Sequence, residues 1–256
     1  MGAIINGMAC HGGIIPYGGT FLVFSDYMRG AIRVGALQEA PAIWVFTHDS
    51  VGMGEDGPTH QPVENLMSLR ALPNLVVLRP ADATETVEAW RAAIDSCSRG
   101  MPVALILTRQ KLPVLDNPGT REGFCRGAYV ISESPGGADK IDVLIIATGS
   151  EVHLGLEAQT QLEAKSVSAR VVSMPSWELF EDQDEDYRNA VLPPEVTARV
   201  TIEAGITLGW CKFAGDAGTS IGIDRFGASA PGNIVFEKLG ITTANLVEKA
   251  MTVLGG

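Results

Sequence analysis

Residues 47–62 concentrate side chains that can do chemistry: two histidines, three acids, three glycines and two prolines. His48 and His60 can accept or donate protons near neutral pH. Carboxylates such as Asp56 accept hydrogen bonds from sugar hydroxyls. The glycines let the backbone approach a ligand closely. The stretch therefore predicts polyol binding combined with proton transfer.

Composition alone leaves two other interpretations of residues 47–62 open. The stretch could be a solvated connection in which His48 or Asp49 only caps the next element, because motif-like loops give many false positives. A metal site built from His48, His60 and Asp56 is disfavoured, since their spacing matches no common zinc arrangement.

Two further features carry suitable residue types. Arg109 follows a predicted strand, and a planar guanidinium can hold two phosphate oxygens at once. Its alternative role is a surface salt bridge, which is less expected at the carboxyl end of a strand. Phe21, Phe24 and Tyr27 recur at a spacing of three. Taken alone, such a stripe indicates a buried helix face.

The elements that must position these residues alternate between strand and helix. Continuous Val, Ile and Leu runs suit strands that are buried on both faces of a parallel sheet. We predict strands at 42–46, 75–78, 103–107, 143–147, 169–174 and 199–203. The class is therefore α/β. In such sheets ligands bind beyond the carboxyl ends of the strands, and residues 47–62 leave such an end.

A helix is predicted after Pro80, where Asp82 and Glu85 form a capping-box-like start. Its apolar residues are expected to share one face. They are Ala83, Val87, Trp90, Ile94 and Cys97. Residues 148–151 follow a predicted strand and open another helix, which is a geometry suited to anion binding.

A break in the hydrophobic pattern divides the chain. Residues 115–127 collect turn formers and indicate a linker, so we predict domains at 1–115 and 128–256. Residues 1–13 read as an apolar helix that ends at Gly12 and Gly13, with no strand or cap before it. The first domain is therefore expected to begin in mid-fold.

The composition disfavours several classes of partner. The formal net charge is -11 and there is no basic run, so neither nucleic acid nor an anionic membrane is expected to bind. The four cysteines are far apart and form no metal-ligand pattern. No apolar run is long enough to span a membrane and no signal-peptide pattern is present, so a cytoplasmic location is expected.

Several long and distinctive motifs follow one another along the chain: "GMACHGGIIPYGGTFLVFSDYMRGAIRVGAL", "WVFTHDSVGMGEDGPTHQPVENL", "LRPADATETVEAW", "LTRQKLP", "IIATGSEVHL", "RVVSMPSWELF" and "GIDRFGASAPG". In this order they resemble the transketolase family. The resemblance implies two three-layer α/β domains with mostly parallel sheets, a pyrimidine-binding domain that lacks its beginning and a C-terminal domain. It also implies a thiamine diphosphate enzyme that reversibly transfers a two-carbon ketol unit from a ketose phosphate to an aldose phosphate.

The resemblance assigns a role to each matching residue. Phe21, Phe24 and Tyr27 match the aromatic pocket that holds the aminopyrimidine ring of the cofactor. His60 matches a histidine that contacts the hydroxyl end of the donor and helps to move protons. The segment containing "GIDRFGASAPG" implies packing and dimer contacts.

The same resemblance implies a substrate site. Asp56 matches an aspartate that accepts a hydrogen bond from a sugar hydroxyl. His48 matches a histidine near the substrate phosphate, and Arg109 matches a phosphate-binding arginine. Lys111 is expected to be solvated, and Cys10 and His11 receive no role.

Two parts of the family pattern are not found in this sequence. They are the glutamate that hydrogen-bonds the aminopyrimidine and the diphosphate-binding domain, whose ligands hold Mg2+ or another divalent cation. We therefore expect either a partner chain that supplies the missing part or a fragment of a longer chain, with a homodimer as the assembly. The isolated chain is expected to be inactive. A dihydroxyacetone synthase-like enzyme and a noncatalytic assembly subunit are the alternative functions.

Overall fold

The computed structural model describes residues 1–115, 117–137 and 140–255 and contains two sheets. We name the elements around the first sheet the N-terminal lobe. They are α1 (Gly2–His11), β1 (Tyr17–Phe21), α2 (Ser25–Leu37), β2 (Ile43–Thr47), α3 (Asn65–Arg70), β3 (Val76–Leu78), α4 (Ala83–Ser98) and β4 (Val103–Ile106).

We name all later elements of the chain the C-terminal lobe, and the first of them is a short helix that connects the two lobes. In chain order these elements are α5 (Thr120–Phe124), β5 (Tyr129–Glu133), β6 (Val143–Ala147), α6 (Val152–Glu163), β7 (Ala169–Ser173), α7 (Trp177–Glu181), α8 (Glu185–Val191), β8 (Arg199–Ile202), α9 (Cys211–Ala214), β9 (Thr219–Ile221), α10 (Gly232–Lys238) and α11 (Thr243–Leu254). No helix in the described ranges is long and apolar enough to cross a membrane.

The first sheet is parallel, with the strand order β1-β2-β4-β3. Successive side chains of a strand point to opposite faces, so a strand buried on both faces needs apolar residues throughout. Trp44 and Phe46 pack with residues of α1, α2 and α3. Ile43 and Val45 pack on the other face with residues of α4. Helices on both faces make this lobe a three-layer structure.

The second sheet has the order β5-β7-β6-β8-β9, and only the edge pair β5 and β7 is antiparallel. Val143 and Ile145 pack against residues of α6 and α11. Leu144 and Ile146 pack on the opposite face against residues of α7 and α9. The predicted fold class of two three-layer α/β units with mostly parallel sheets is confirmed.

The apolar face predicted for α4 is only partly buried, because Cys97 lies in the core cluster but the larger aliphatic residues do not. Val87 and Ile94 are 53% and 50% exposed, whereas Ala89 and Ala93 are fully buried. The small alanines let the helix lie close to the sheet, so the larger apolar residues are turned outward. The predicted capping-box-like start is present in a modified form: the Asp82 carboxylate accepts a hydrogen bond from the Glu85 backbone, and the Glu85 carboxylate accepts one from the Ala81 backbone, each at 2.7 Å.

The predicted linker contains ordered structure. Helix α5 lies within it, and Phe124 is fully buried in the core cluster that contains α4 residues. The anion site predicted at residues 148–151 is also wrong. Thr148 and Glu151 are buried, and both already accept hydrogen bonds from Arg79. The guanidinium of Arg79 therefore already pairs with the carboxylate of Glu151 at this position.

Candidate active site at the carboxyl ends of the first sheet

The candidate residues lie where three parallel strands of the first sheet end. Phe21 is the last residue of β1 and pairs in register with Thr47, the last residue of β2. His48 follows immediately. Arg109 lies three residues beyond the end of β4, which pairs with β2. Parallel strands end at one edge, so residues distant in sequence meet there.

Five aromatic rings form one continuous cluster at this edge. The Phe21 and His48 ring centroids lie 3.7 Å apart in a stacked arrangement. Phe24 lies 6.0 Å from Phe21 and 6.0 Å from Tyr27. Phe24 also contacts His60 edge to face, with 5.5 Å between the centroids. We name these five residues the aromatic cluster.

The aromatic trio belongs to three successive elements and not to one helix face. Phe21 ends a strand, Phe24 lies in the 3-10 turn Leu22–Phe24, and Tyr27 lies in the first turn of α2. Phe21 and Phe24 are half-buried, and Tyr27 is 88% exposed. A large exposed ring beside two half-buried rings provides a surface against which a flat ligand can pack.

The charge state of His48 is set by its surroundings. Burial lowers the pKa of His48 below its ordinary value, and the positive charge of Arg109 lowers it further. The carboxylates of Asp56 and Asp49 act in the opposite direction. The neutral form of the imidazole is therefore favoured near pH 7. Arg109 and Asp56 are close enough to His48 to influence its charge in opposite directions.

Hydroxyl groups hold both histidine rings in place. The Nδ1 atom of His48 lies 2.9 Å from the hydroxyl of Thr47. The Nδ1 atom of His60 lies 3.0 Å from the hydroxyl of Thr59. Each contact restricts the rotation of an imidazole ring and keeps its Nδ1 atom turned toward the preceding threonine.

The loop between the two histidines is built from tight turns. The hydroxyl of Ser50 caps the 3-10 turn Val51–Met53 by accepting a hydrogen bond from the Gly52 backbone. Gly54 and Gly57 have φ angles of 89° and 76°, a region that side chains other than glycine rarely adopt. These turns leave Asp56 exposed at the surface of the loop.

A buried charge network lies behind the site, and the sequence did not reveal it. Asp49 accepts hydrogen bonds from Nε and Nη2 of Arg79, at 3.0 and 2.8 Å. Arg79 also pairs with Glu151, and its Nη1 lies 3.7 Å from Glu203. Arg70 forms a forked pair with the same Glu203 at 2.8 and 2.9 Å. Three buried carboxylates thus surround two buried guanidiniums.

The network keeps its charges despite burial. Burial alone disfavours a charged arginine, but Glu151, Asp49 and Glu203 raise the pKa of Arg79 above its ordinary value. Burial likewise disfavours a charged glutamate, but Arg70 holds the pKa of Glu203 below its ordinary value. Only paired charges are tolerated in such an interior. The sequence offered one signal of this network, which is the single arginine at position 79 directly after a predicted strand.

The structure brings all seven predicted site residues to one region, at the carboxyl ends of the first sheet. Lys111 is exposed, as predicted, and Cys10 and His11 lie exposed at the end of α1. Among the described residues, no group of three or more His, Cys, Asp and Glu side chains is arranged to hold a metal ion.

A cavity of about 370 Å³ lies where the two lobes meet, and it is distinct from the aromatic cluster. Gly52 and Gln110 line it from the N-terminal lobe, and His153 and Phe236 line it from the C-terminal lobe. None of the seven predicted site residues lines this cavity. We therefore place the candidate site on the open surface formed by the aromatic cluster.

Comparison with known sequence families matches nearly the whole chain. Residues 1–114 match the family described as "Transketolase, pyrimidine binding domain". Residues 127–242 match the family described as "Transketolase-like TK C-terminal domain". The first match contains every residue of the aromatic cluster.

Individual relatives agree with these family matches. A transketolase of Halalkalibacterium halodurans is 52% identical over 99% of this chain and 38% of its own length. The transketolase structure from Leishmania mexicana is similar with a TM-score of 0.92 and 44% identity, over 99% of this chain and 36% of that one. The structure of a split-gene transketolase, described as an inactive β4 tetramer, is similar with a TM-score of 0.79 and 25% identity, over 98% and 80% of the two chains. The chain therefore spans well under half the length of the first two relatives.

Proposed function

The chain belongs to the transketolase family, and we propose that it provides the pyrimidine-binding and C-terminal domains of a thiamine diphosphate-dependent transketolase. The reaction is the reversible transfer of a two-carbon ketol unit from a ketose phosphate to an aldose phosphate. The observation that carries the proposal is the aromatic cluster, which joins the predicted cofactor residues to the predicted catalytic His60 and the predicted substrate-binding His48.

The aromatic cluster fits the aminopyrimidine ring of the cofactor. Phe24 and Tyr27 present neighbouring rings, and Tyr27 is 88% exposed. Aromatic side chains hold a flat heteroaromatic ring by offset or edge-on contacts. When bound, thiamine diphosphate supplies an electron sink for breaking and forming the carbon–carbon bond next to a carbonyl.

The polar residues around the cluster are suited to a sugar phosphate. Arg109 is exposed and close enough to His48 to lower its pKa, so its guanidinium can bind a phosphate beside that ring. Asp56 accepts a hydrogen bond from a sugar hydroxyl. His60 contacts the hydroxyl end of the donor and takes or returns a proton there.

We propose that activity also needs a diphosphate-binding domain with Mg2+ or another divalent cation as its metal, in addition to residues 1–256. The support is the length of the relatives, of which the chain spans 38% in the H. halodurans protein. The split-gene relative, which this chain covers over 80% of its length, is a β4 tetramer described as inactive. We use "the complete enzyme" for this chain together with a diphosphate-binding domain, assembled as a homodimer or with a partner chain.

The test is turnover by the complete enzyme with a ketose phosphate donor and ribose 5-phosphate as acceptor. Replacing a proton-transfer residue typically costs about 10²–10⁴-fold, so His60→Ala is expected to lower turnover within that range. His11→Ala is the matched control, because His11 is exposed at the end of α1. Unchanged turnover in His60→Ala would contradict the assignment. A preference for formaldehyde as acceptor would indicate a dihydroxyacetone synthase-like enzyme instead.

A further inference from the structure

Each of the two site histidines belongs to the same kind of triplet. Residues 47–49 read Thr-His-Asp and residues 59–61 read Thr-His-Gln. In both triplets the threonine hydroxyl contacts Nδ1 of the ring. In both, the third residue is a buried polar side chain, with Asp49 3% and Gln61 2% exposed. A buried polar group needs partners, and the partners of both residues lead into the C-terminal lobe.

The first triplet is anchored through one guanidinium. Arg79 donates Nε and Nη2 to a single carboxylate oxygen of Asp49. The Nη1 of the same group donates to the Thr148 carbonyl at 2.9 Å and to the Glu151 carboxylate at 2.5 Å. Both of these acceptors follow β6 in the C-terminal lobe. The fully buried side chain of Arg79 therefore links Asp49 to the C-terminal lobe.

The second triplet is anchored through a side-chain amide. The Nε2 of Gln61 donates to the Gly54 carbonyl at 2.8 Å and to the Ala228 carbonyl at 3.0 Å, and lies 3.4 Å from the Val51 carbonyl. The amide nitrogen of glutamine carries two hydrogens and can donate to two of these carbonyls, whereas the amide oxygen in its place would be repelled by them. Residue 227 is glycine, and a Cβ there would lie 1.9 Å from Gln61 Oε1. The C-terminal lobe thus fits closely around this amide.

The backbone of His48 has a conformation that this residue type rarely adopts without support. His48 has a φ of 58°, in the left-handed region that side chains other than glycine rarely occupy. Such a conformation persists only where the surroundings hold it in place. The fixed carboxylate of the next residue and the stacking of the ring on Phe21 supply that restraint.

We propose that the C-terminal lobe positions both site histidines, through Arg79 and Asp49 for His48 and through Gln61 for His60. Arg79 and Gln61 are positioning residues, because each acts through a neighbour of a histidine. The inference rests on the proposed function only in the identity of the bound molecule, a sugar phosphate. The placement of the loop can be measured on the chain itself.

The first test is amide hydrogen exchange of the 256-residue chain with Gln61→Leu. The backbone amides of Met53, Gly54, Gly57 and His60 are hydrogen-bonded within the loop, so their exchange reports its opening. We expect their exchange to rise about tenfold or more when the amide anchor is lost. Gln159→Leu is the matched control. Gln159 is also buried, and its Nε2 donates to the Ala169 carbonyl within the C-terminal lobe.

Equal loop exchange in the two variants would overturn the inference for Gln61. If Gln61→Leu does not fold, Ser229→Ala replaces it, because Ser229 is exposed and its hydroxyl donates to the Glu55 carbonyl at 2.5 Å. That variant is expected to accelerate exchange at Gly57. Unchanged exchange there would count against positioning by the C-terminal lobe.

The second test compares Arg79→Lys with Arg170→Lys. Lysine keeps the charge and loses the forked geometry. Arg170 is also buried, and it pairs with Glu133 within the C-terminal lobe. We expect the imidazole NMR signals of His48 to shift and broaden only in Arg79→Lys. Identical His48 signals in both variants would overturn the Arg79 part of the inference.

Turnover of the complete enzyme separates this inference from the proposed function. Gln61→Leu is expected to lower kcat about tenfold or more, with the affinity for thiamine diphosphate unchanged. Faster loop exchange in an enzyme that transfers no ketol unit would uphold the positioning and reject the function. An active enzyme in which Gln61→Leu changes neither loop exchange nor kcat would reject the positioning.

Discussion

The imidazole of His48 is stacked on a phenyl ring and lies near a guanidinium, so both neighbours influence its protonation. Burial is the larger cause of its lowered pKa, and Arg109 is the second. A neutral imidazole beside a bound phosphate can accept a hydrogen bond from a hydroxyl group. In the proposed function, the positive charge that attracts the substrate phosphate comes from Arg109.

We therefore expect Arg109→Gln to raise the pKa of His48, because the substitution removes a positive charge that disfavours protonation. An NMR titration of the His48 ring in the 256-residue chain measures the change. Lys111→Gln is the control, since it removes an equal charge from an exposed position two residues away. A His48 pKa that stays the same in Arg109→Gln would contradict the placement of Arg109.

Glu85 is a second residue whose charge depends on burial. Its carboxylate lies between the lobes and accepts hydrogen bonds from the hydroxyls of Tyr129 and Ser173 and from the Ala81 backbone. Burial raises the pKa of Glu85 to about 7, from an ordinary value of 4.5. The folded chain therefore holds a proton on Glu85 that the unfolded chain releases at lower pH.

Because the folded state binds this proton more tightly, the free energy of unfolding should fall as the pH rises from about 4.5 to about 7. One group contributes at most about 1.4 kcal/mol per pH unit to this slope. Glu85→Gln should remove this contribution, since an amide can serve the same hydroxyls and backbone group without ionising. Urea denaturation at several pH values measures it. An equally steep slope in Glu85→Gln would disprove the assignment.

The predicted elements show which structural features the sequence encodes locally. The strands buried on both faces were found within about one residue of their ends, because continuous apolar runs identify them. The strands β1, β5 and β9 were not predicted. Strand β1 is Gly-rich, β5 is an antiparallel edge strand, and β9 has only three residues. None of them therefore has such a run.

The sequence predicted only part of the site. His48, Asp56, His60 and Arg109 were suggested by residue type and position, the resemblance to the family added the aromatic trio and the individual roles, and the structure places all seven together. Arg79 and Gln61 were not found, because their partners lie far away in the sequence, at positions such as 151 and 228. A periodic pattern within one element contains no information about such contacts. The exposure of Val87 and Ile94 on α4 has a similar cause, since alanines of the helix pack against the sheet in place of these larger residues.

The cap of α4 has a second function at the scale of elements. One oxygen of Asp82 caps the helix through the Glu85 backbone, and the other accepts a hydrogen bond from the Leu115 backbone at 2.6 Å. Asp82→Ala should cost about 1–2 kcal/mol for the cap, and more because the second bond is also lost. The exposed cap Asp184→Ala is the control, with one bond to the Tyr187 backbone. Equal losses in urea denaturation would contradict the second role.

At the scale of the whole molecule, the lobes are joined through buried charges. Arg70 of the N-terminal lobe pairs with Glu203 of the C-terminal lobe, and both side chains are 2% exposed. The guanidinium also lies over the ring of Trp177, 4.3 Å from its centroid. Through these contacts the C-terminal lobe packs against the N-terminal lobe and stabilises it.

Arg70→Met should destabilise the chain by about 3–5 kcal/mol, because it removes the guanidinium that forms the forked pair with the buried Glu203 carboxylate. Arg99→Met is the matched control. Arg99 pairs with Asp95 on the surface, at 53% and 72% exposure, where such pairs contribute about 1 kcal/mol or less. Thermal or urea denaturation gives both values. Similar losses for the two variants would contradict a buried connection between the lobes.

A crystal structure of the complete enzyme with thiamine diphosphate bound is the most direct test of the central claim. We expect the aminopyrimidine ring to contact Phe24 and Tyr27, with the rest of the cofactor extending toward His48 and His60. An aminopyrimidine bound away from the aromatic cluster, with these rings still in contact with each other, would contradict the account.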